Sequence, residues 1–310
     1  MLPVLDDYLL SLKTNNYSPE TVYNYERDLD VFHKFLKDSS TPFKKVNKKT
    51  VANYKAYLVS RDRKTSKNQL INNQKLTSRS VNRMLSSLRS YLKYLIEMDE
   101  PVPIAPDAIK LTKTEKKHPQ VAELEDLIKL IESPTKLEKD KKVALRNRAA
   151  LEVLISTGMR ISELVNLQKN QIGSSGKIFI LGKGKKERFV YLTPRALTHL
   201  ANYLKTRNDN FPALFIPYSG RNVASLKKKI STNYLQERIK YYREKLKINI
   251  PTSAHSLRHG FATYLAESGA SPVAIQILLG HESLDTTTRY VHASDRFAQR
   301  VHKKYHPLKE

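Results

Sequence analysis

The sequence predicts a mainly α protein of two domains, the second carrying one small antiparallel β-hairpin sheet. Three observations predict it. Residues from about 4 to 98 show helical spacing of apolar side chains with little strand-like alternation. Pro101, Pro103 and Pro106 then break any helix. Beyond them, a single pair of short β-prone runs flanks a glycine-lysine turn, with helical patterns on both sides. A chain of 310 residues, 40% of them hydrophobic, can fill two ordinary cores.

The clearest helix of the first domain runs from about Ser78 to Met98. Val81, Met84, Leu85, Leu88, Leu92 and Leu95 recur there at three- and four-residue spacing and form a core stripe, with Arg79, Arg83, Ser86, Ser90 and Lys93 on the opposite side. Lys110 to His118 is polar and charged, so residues 101–118 read as an interdomain linker between a first domain, 1–112, and a second, 119–310. The second domain opens with helices, and Leu145 to Thr157 ends at Gly158, a common left-handed C-cap position. Lys177 to Leu181 and Arg188 to Leu192 flank Gly182-Lys183-Gly184-Lys185-Lys186-Glu187, which predicts a hairpin with a basic tip. Helices return afterwards. One begins at Ser271-Pro272, N-cap and first helical position, and ends before Gly280. Internal repeats and low-complexity tracts are absent from the sequence.

Charge narrows the partner. Fifty-five Lys+Arg against 30 Asp+Glu give a formal charge of +25, a field that favours a polyanion, nucleic acid first and an anionic membrane surface second. Between Lys44 and Ile96 stand fourteen basic residues and one acid, Asp62. Because alternating-sign pairing is missing, this region reads as a surface for the backbone of double-stranded DNA, not an ordinary solvated face. Lys44, Lys45, Lys48, Lys49, Arg79 and Arg83 are its candidate phosphate contacts, joined by Lys185 and Lys186 in the hairpin turn. No apolar run approaches the roughly 18 residues a membrane span needs. The opening Met1-Leu2-Pro3-Val4-Leu5-Asp6-Asp7 lacks the basic and apolar regions of a signal peptide, which points to the cytoplasm. With zero cysteines, disulfides, thiolate zinc fingers and a cysteine nucleophile are excluded.

Cleaving DNA through a covalent intermediate requires a nucleophile, donors for the charge of a pentacoordinate phosphate, and an acid for the leaving oxygen. The chain holds a candidate for each. Arg160, in Gly158-Met159-Arg160-Ile161-Ser162-Glu163-Leu164, and Arg258, in His255-Ser256-Leu257-Arg258-His259, offer planar guanidinium forks that stay charged and can hold two nonbridging oxygens. Lys183, flanked by Gly182 and Gly184, can bring an ammonium to a leaving 5′-oxygen. Glu163 lies one helical turn after Arg160. His281 follows Gly280, and Tyr290 lies nine residues beyond it. His255 and His259, four residues apart, could face one side of a helix and imitate a metal site. No Glu follows His255 in a His-Glu-x-x-His pattern, however, and no cysteine ligand exists, so neither a metal nor a cofactor is expected.

The two arginines, two histidines, lysine and tyrosine together resemble the tyrosine recombinases, the phage integrase family, and within them the compact Xer-like members. The resemblance is specific in the second domain and one of architecture in the first. It implies a helical core-binding, SAM-like domain followed by a mostly helical catalytic domain, used as a C-shaped clamp around duplex DNA. By resemblance Tyr290 attacks the scissile phosphate, leaving a 3′-phosphotyrosyl link and a free 5′-hydroxyl. Arg160 and Arg258 hold the phosphate, Lys183 is the general acid, His255 assists proton transfer and His281 donates to the phosphate. Glu163 braces the site, and His259 and His292 support it. The family assembles four protomers on two specific sites and exchanges strands through a Holliday junction, as a homotetramer or with a second recombinase. Without the extra arm-site domain of many integrases, the chain is similar to the Xer type, which resolves chromosome dimers. A mobile-element integrase and a type IB topoisomerase remain the alternatives. The tail, 294–310, separates the latter: Ser294 to Tyr305 resembles a short amphipathic helix, with Phe297, Ala298, Val301 and Tyr305 toward one side, suited to docking on a neighbouring protomer.

Overall fold

The structure, a computed structural model, describes residues 2–60, 76–114, 122–182, 187–224, 228–250 and 252–280. The chain divides into two compact units, Met1–Lys117 and His118–Glu310.

The first unit contains helices α1 (Leu5–Thr14), α2 (Pro19–Asp38), α3 (Lys48–Val59) and α4 (Ser78–Glu97), with 3-10 turns at Phe43–Lys45 and Pro106–Ala108. Polar caps set three of the starts. The Ser18 hydroxyl accepts from the Thr21 N–H ahead of Pro19, Asn47 and Thr50 form a reciprocal capping box, and the Thr77 hydroxyl accepts from the Ser80 N–H. Helix α4 buries Val81, Met84, Leu85, Leu88, Leu92 and Leu95 as its spacing predicts, and Tyr91 with them. Phe32, Phe35 and Tyr54 pack ring against ring beside that stripe, the Phe32 and Tyr54 centroids 4.8 Å apart edge to face.

One sequence expectation changes here. The segment read as a linker from residue 101 belongs, as far as Thr112, to the first unit: Ile104 and Ile109 enter its core, and the Asn82 amide both donates to the Thr112 carbonyl at 2.9 Å and accepts its N–H at 2.8 Å. Proline ends a helix, but it leaves an extended strap free to pack. Arg83, a candidate phosphate contact, is exposed on α4 and pairs with Asp28 of α2, a carboxylate only 3% exposed. A buried carboxylate needs a counterion, and Arg83 supplies it.

The second unit is built around α7 (Lys141–Thr157), whose Ala149, Ala150, Leu151, Val153 and Leu154 are all buried. Around it lie α5 (Leu124–Glu132), α6 (Pro134–Leu137), α8 (Ile161–Asn166), α9 (Pro194–Leu204), α10 (Thr232–Lys245), α11 (Ala254–Glu267) and α12 (Pro272–Leu279). Strands β1 (Lys177–Leu181) and β2 (Glu187–Tyr191) form the expected antiparallel hairpin, with Phe179 opposite Phe189 and Ile180 opposite Arg188. Ile178, Ile180 and Val190 face the core while Phe179, Leu181, Phe189 and Tyr191 face outward. The fold is thus mainly α with one small sheet. Among the described residues no helix is long and apolar enough to cross a membrane.

Candidate active site

Two glycines with left-handed backbone shape the site. Gly158, at φ +60°, ends α7; a Cβ there would stand 2.4 Å from the Phe261 ring of α11, so both the dihedral and the space require glycine. The turn leaves Arg160 as the N-cap of α8. Its backbone N–H donates to Glu163 Oε2 at 2.7 Å and its guanidinium to Glu163 Oε1 at 3.0 Å. Gly280, at φ +64°, ends α12.

Helix α11, capped by Ser253, carries His255, Arg258 and His259. Arg258 is buried, 4% exposed, and donates to the Gly158 carbonyl and to the Leu279 carbonyl, each at 2.7 Å. Three successive carbonyls at the end of α12 each accept from a different arginine: Leu278 from Arg188 Nε at 3.1 Å, Leu279 from Arg258, and Gly280 from Arg160 at 3.5 Å. A helix leaves its last carbonyls without intrahelical donors and with partial negative charge, and three cations satisfy both deficiencies. The chain runs from this anchored point directly into His281.

Glu163 balances that charge. Its carboxylate is 7% exposed and takes a two-pronged fork from Arg188, at 3.0 and 2.7 Å, as well as the contacts from Arg160. Burial alone would raise the carboxyl, but hydrogen bonds from Arg188 and from the Arg160 backbone, the charge of Arg188 and the Arg160 side-chain hydrogen bond outweigh it and hold the group below its usual range.

His255 and His259 face each other one turn apart. Their Nε2 atoms are 2.7 Å apart and the rings nearly perpendicular, so one imidazole donates and the other accepts. Burial, then the charge of Arg258 and Arg160, lowers His255. Burial, then His255 and Arg258, pushes His259 down to about 4 from 6.5. Both rings are therefore neutral at pH 7. Among the described residues no further His, Asp or Glu joins them in a group that could hold a metal ion. Between pH 6.5 and about 4 the unfolded state binds more protons at His259 than the folded one, so stability is full above pH 6.5 and falls as pH drops toward 4. Denaturation curves across that window should lose part of this slope in His259→Gln, and NMR should show the His259 ring titrating near pH 4. A ring titrating near 6.5 would contradict the burial.

The structure thus gathers Arg160, Glu163, His255, Arg258 and His259. Lys183, Lys185, Lys186, His281, Tyr290, His292 and the tail 294–310 lie outside the described residues. In the first unit, Lys44 and Lys45 are exposed on the 3-10 turn, Lys48 and Lys49 on the first turn of α3, and Arg79 on the first turn of α4. Sequence reasoning missed Arg188, although a signal existed. Alternation along β2 puts 188 on the same side as Val190, and a charged residue on a core-facing strand position must have a partner.

Residues 120–296 match the sequence profile of the Phage integrase family, and residues 5–98 that of the phage integrase N-terminal SAM-like domain. The chain is 32% identical over 297 residues to the tyrosine recombinase XerC of Leptospira interrogans serogroup Icterohaemorrhagiae serovar copenhageni, covering 94% of this chain and 89% of that one. It is 28% identical over 316 residues to the tyrosine recombinase XerD of Staphylococcus epidermidis, covering 99% of each. In fold it is similar to XerH recombinase bound to palindromic difH substrate in a post-cleavage complex, with a TM-score of 0.70 and 22% identity over 91% of this chain and 78% of that one. A lambda integrase tetramer bound to a Holliday junction gives a TM-score of 0.66 and 17% identity over 90% and 76%.

Proposed function

Because the chain belongs to the phage integrase family and is a tyrosine-type, site-specific DNA recombinase, we propose that it cuts and rejoins DNA through a 3′-phosphotyrosyl link at Tyr290. The observation that carries this reading is the convergence of Arg160 and Arg258 on the last carbonyls of α12, at Leu279 and Gly280, with His255 on the same helix as Arg258. In this scheme the Tyr290 phenol oxygen attacks phosphorus and the bond to the 5′-oxygen breaks. Arg160 and Arg258 hold the nonbridging oxygens as charge builds on them, with His281 adding a hydrogen bond. His255, neutral at pH 7, is able to accept the phenolic proton, while Lys183 protonates the leaving oxygen. The phosphotyrosyl linkage conserves the energy of the broken bond, so attack by a 5′-hydroxyl reseals the strand. Glu163 holds Arg160, His259 orients His255, and His292 supports the pair.

Similarity to both XerC and XerD over nearly the full chain favours an Xer-like role, the resolution of chromosome dimers in the cytoplasm, over integration of a mobile element. Two duplex sites, four protomers and a Holliday junction make up the proposed assembly, formed by this chain alone or with a second recombinase. Residues 1–112 would grip the duplex and 119–310 carry the chemistry, with the tail 294–310 docking on a neighbour.

A nicked suicide substrate, from which the short cleaved strand diffuses away, tests the chemistry. The expected result is a 3′-linked adduct formed in EDTA and mapped by mass spectrometry to Tyr290. An adduct elsewhere, or activity restored only by zinc or magnesium, would overturn it. The grip has its own test in the joint replacement of Lys44, Lys45, Lys48 and Lys49 by Gln. Each neutralised phosphate contributes about −0.9 to the slope of log K against log salt, so four contacts should flatten the slope by roughly 3 to 4. An unchanged slope would make these lysines an ordinary solvated face.

A further inference from the structure

Arg188 is a charge where a strand normally buries a hydrocarbon. It lies opposite Ile180 in the hairpin, with its side chain 5% exposed. Such a guanidinium persists only where its donors are matched, and here one side chain bonds to two other elements: the fork to Glu163 at the start of α8, and Nε to the Leu278 carbonyl at the end of α12. Gly280 makes room for it, since a Cβ there would stand 2.9 Å from Arg188 Cδ.

The sharing of Glu163 is the informative part. Oε1 accepts from Arg188 and from Arg160, both at 3.0 Å, while Oε2 accepts from Arg188 and the Arg160 backbone, both at 2.7 Å. We propose that Arg188 is a positioning residue for strand cleavage: by occupying both carboxylate oxygens it stops Arg160 from closing into a bidentate pair with Glu163, and so keeps one edge of the Arg160 guanidinium for the scissile phosphate. An isolated arginine and carboxylate prefer the two-pronged pair. Arg160 makes only one side-chain contact to Glu163, and its other terminal nitrogen has a long, 3.5 Å contact to Gly280. The same side chain ties β2 to the end of α12 and to the start of α8, so the placement of Arg160 depends on a buried residue of another element.

This role rests on the reading of Arg160 as a phosphate clamp, and the test keeps the two apart. Arg188→Lys retains a cation beside Glu163 but cannot fork, and Arg188→Met removes the charge at similar volume. On the nicked substrate, Arg188→Lys should bind a half-site within about twofold of wild type and cleave on the order of 10²-fold more slowly, the scale of losing one well-placed transition-state donor. Adding it to Arg160→Ala should cost less than about threefold more, because both act through one group. On a substrate whose scissile phosphorus carries a methyl in place of one nonbridging oxygen, less charge needs a clamp, and the gap between Arg188→Lys and wild type should shrink to within about tenfold. A merely structural residue would slow both substrates alike. Equal slowing, multiplication with Arg160→Ala, or wild-type cleavage by Arg188→Lys and Arg188→Met would each overturn the positioning role. An Arg160→Ala variant that cleaves normally would instead sink the underlying reading of the clamp.

Discussion

Tyr290→Phe is expected to bind its DNA site as the wild type does and to form no covalent link to it. The change removes one oxygen and leaves the ring, so the grip of the basic surfaces and the arginine clamp is untouched. In the proposed scheme the phenol oxygen is the nucleophile, and phenylalanine has none to offer. Loss of a nucleophile acts on the scale of 10⁵- to 10⁶-fold, below detection in a suicide-substrate assay. The chain has 17 tyrosines, and an adduct that survives the substitution would move the nucleophile to another of them. Loss of half-site binding together with cleavage would show that the variant had lost its fold, and thermal denaturation separates that case. Order of addition gives a further check: mixed with wild type on paired half-sites, the phenylalanine variant should occupy its half-site and leave only the wild-type side linked.

What was legible in the sequence followed from local rules. The stripe of α4, the end of α7 at Gly158, the span of α12 between Ser271 and Gly280, and the hairpin all depend on periodicity, caps and turn glycines within a few residues of one another. The spacing from Arg160 to Glu163 is local in the same sense, and the contact is made. Partnerships between distant elements were not legible. Nothing near Arg83 in sequence announces Asp28, so the pairing of this exposed arginine with a buried acid of another helix lay beyond any local window. Nothing near residue 101 announces that Ile104 and Ile109 pack into the first core, because prolines signal the end of a helix and are silent on what the extended chain then touches. The three arginines on the last carbonyls of α12 come from α8, β2 and α11, and no window of sequence contains them together.

That convergence makes Glu163 the residue whose loss should cost most in stability. Glu163→Ala leaves Arg160 and the buried Arg188 side by side with no carboxylate between them, and also removes the acceptor for the Arg160 backbone N–H. Breaking a buried ion pair by deleting one partner costs about 3–5 kcal/mol, since the remaining charge stays desolvated. For a unit of this size each kcal/mol moves the midpoint by roughly 2–4 °C, so the catalytic unit should melt about 6–20 °C lower. Below that temperature cleavage should still be slower by 10²-fold or more, because a misplaced guanidinium costs that much even in a folded enzyme. Glu163→Gln, which keeps an acceptor oxygen but not the charge, should fall between. The pH dependence carries the sign. The folded carboxyl sits below its unfolded value of 4.5, so its contribution is fully present above pH 4.5 and is lost as pH falls through the lower folded value. The stability gap between wild type and Glu163→Ala should stay level from pH 8 to about 5 and close only at more acid pH, whereas the slope from His259 is common to both proteins and cancels. A gap that is small at pH 7, or one that does not narrow as the carboxyl is protonated at acid pH, would mean that the two arginines do not depend on this carboxylate for their place.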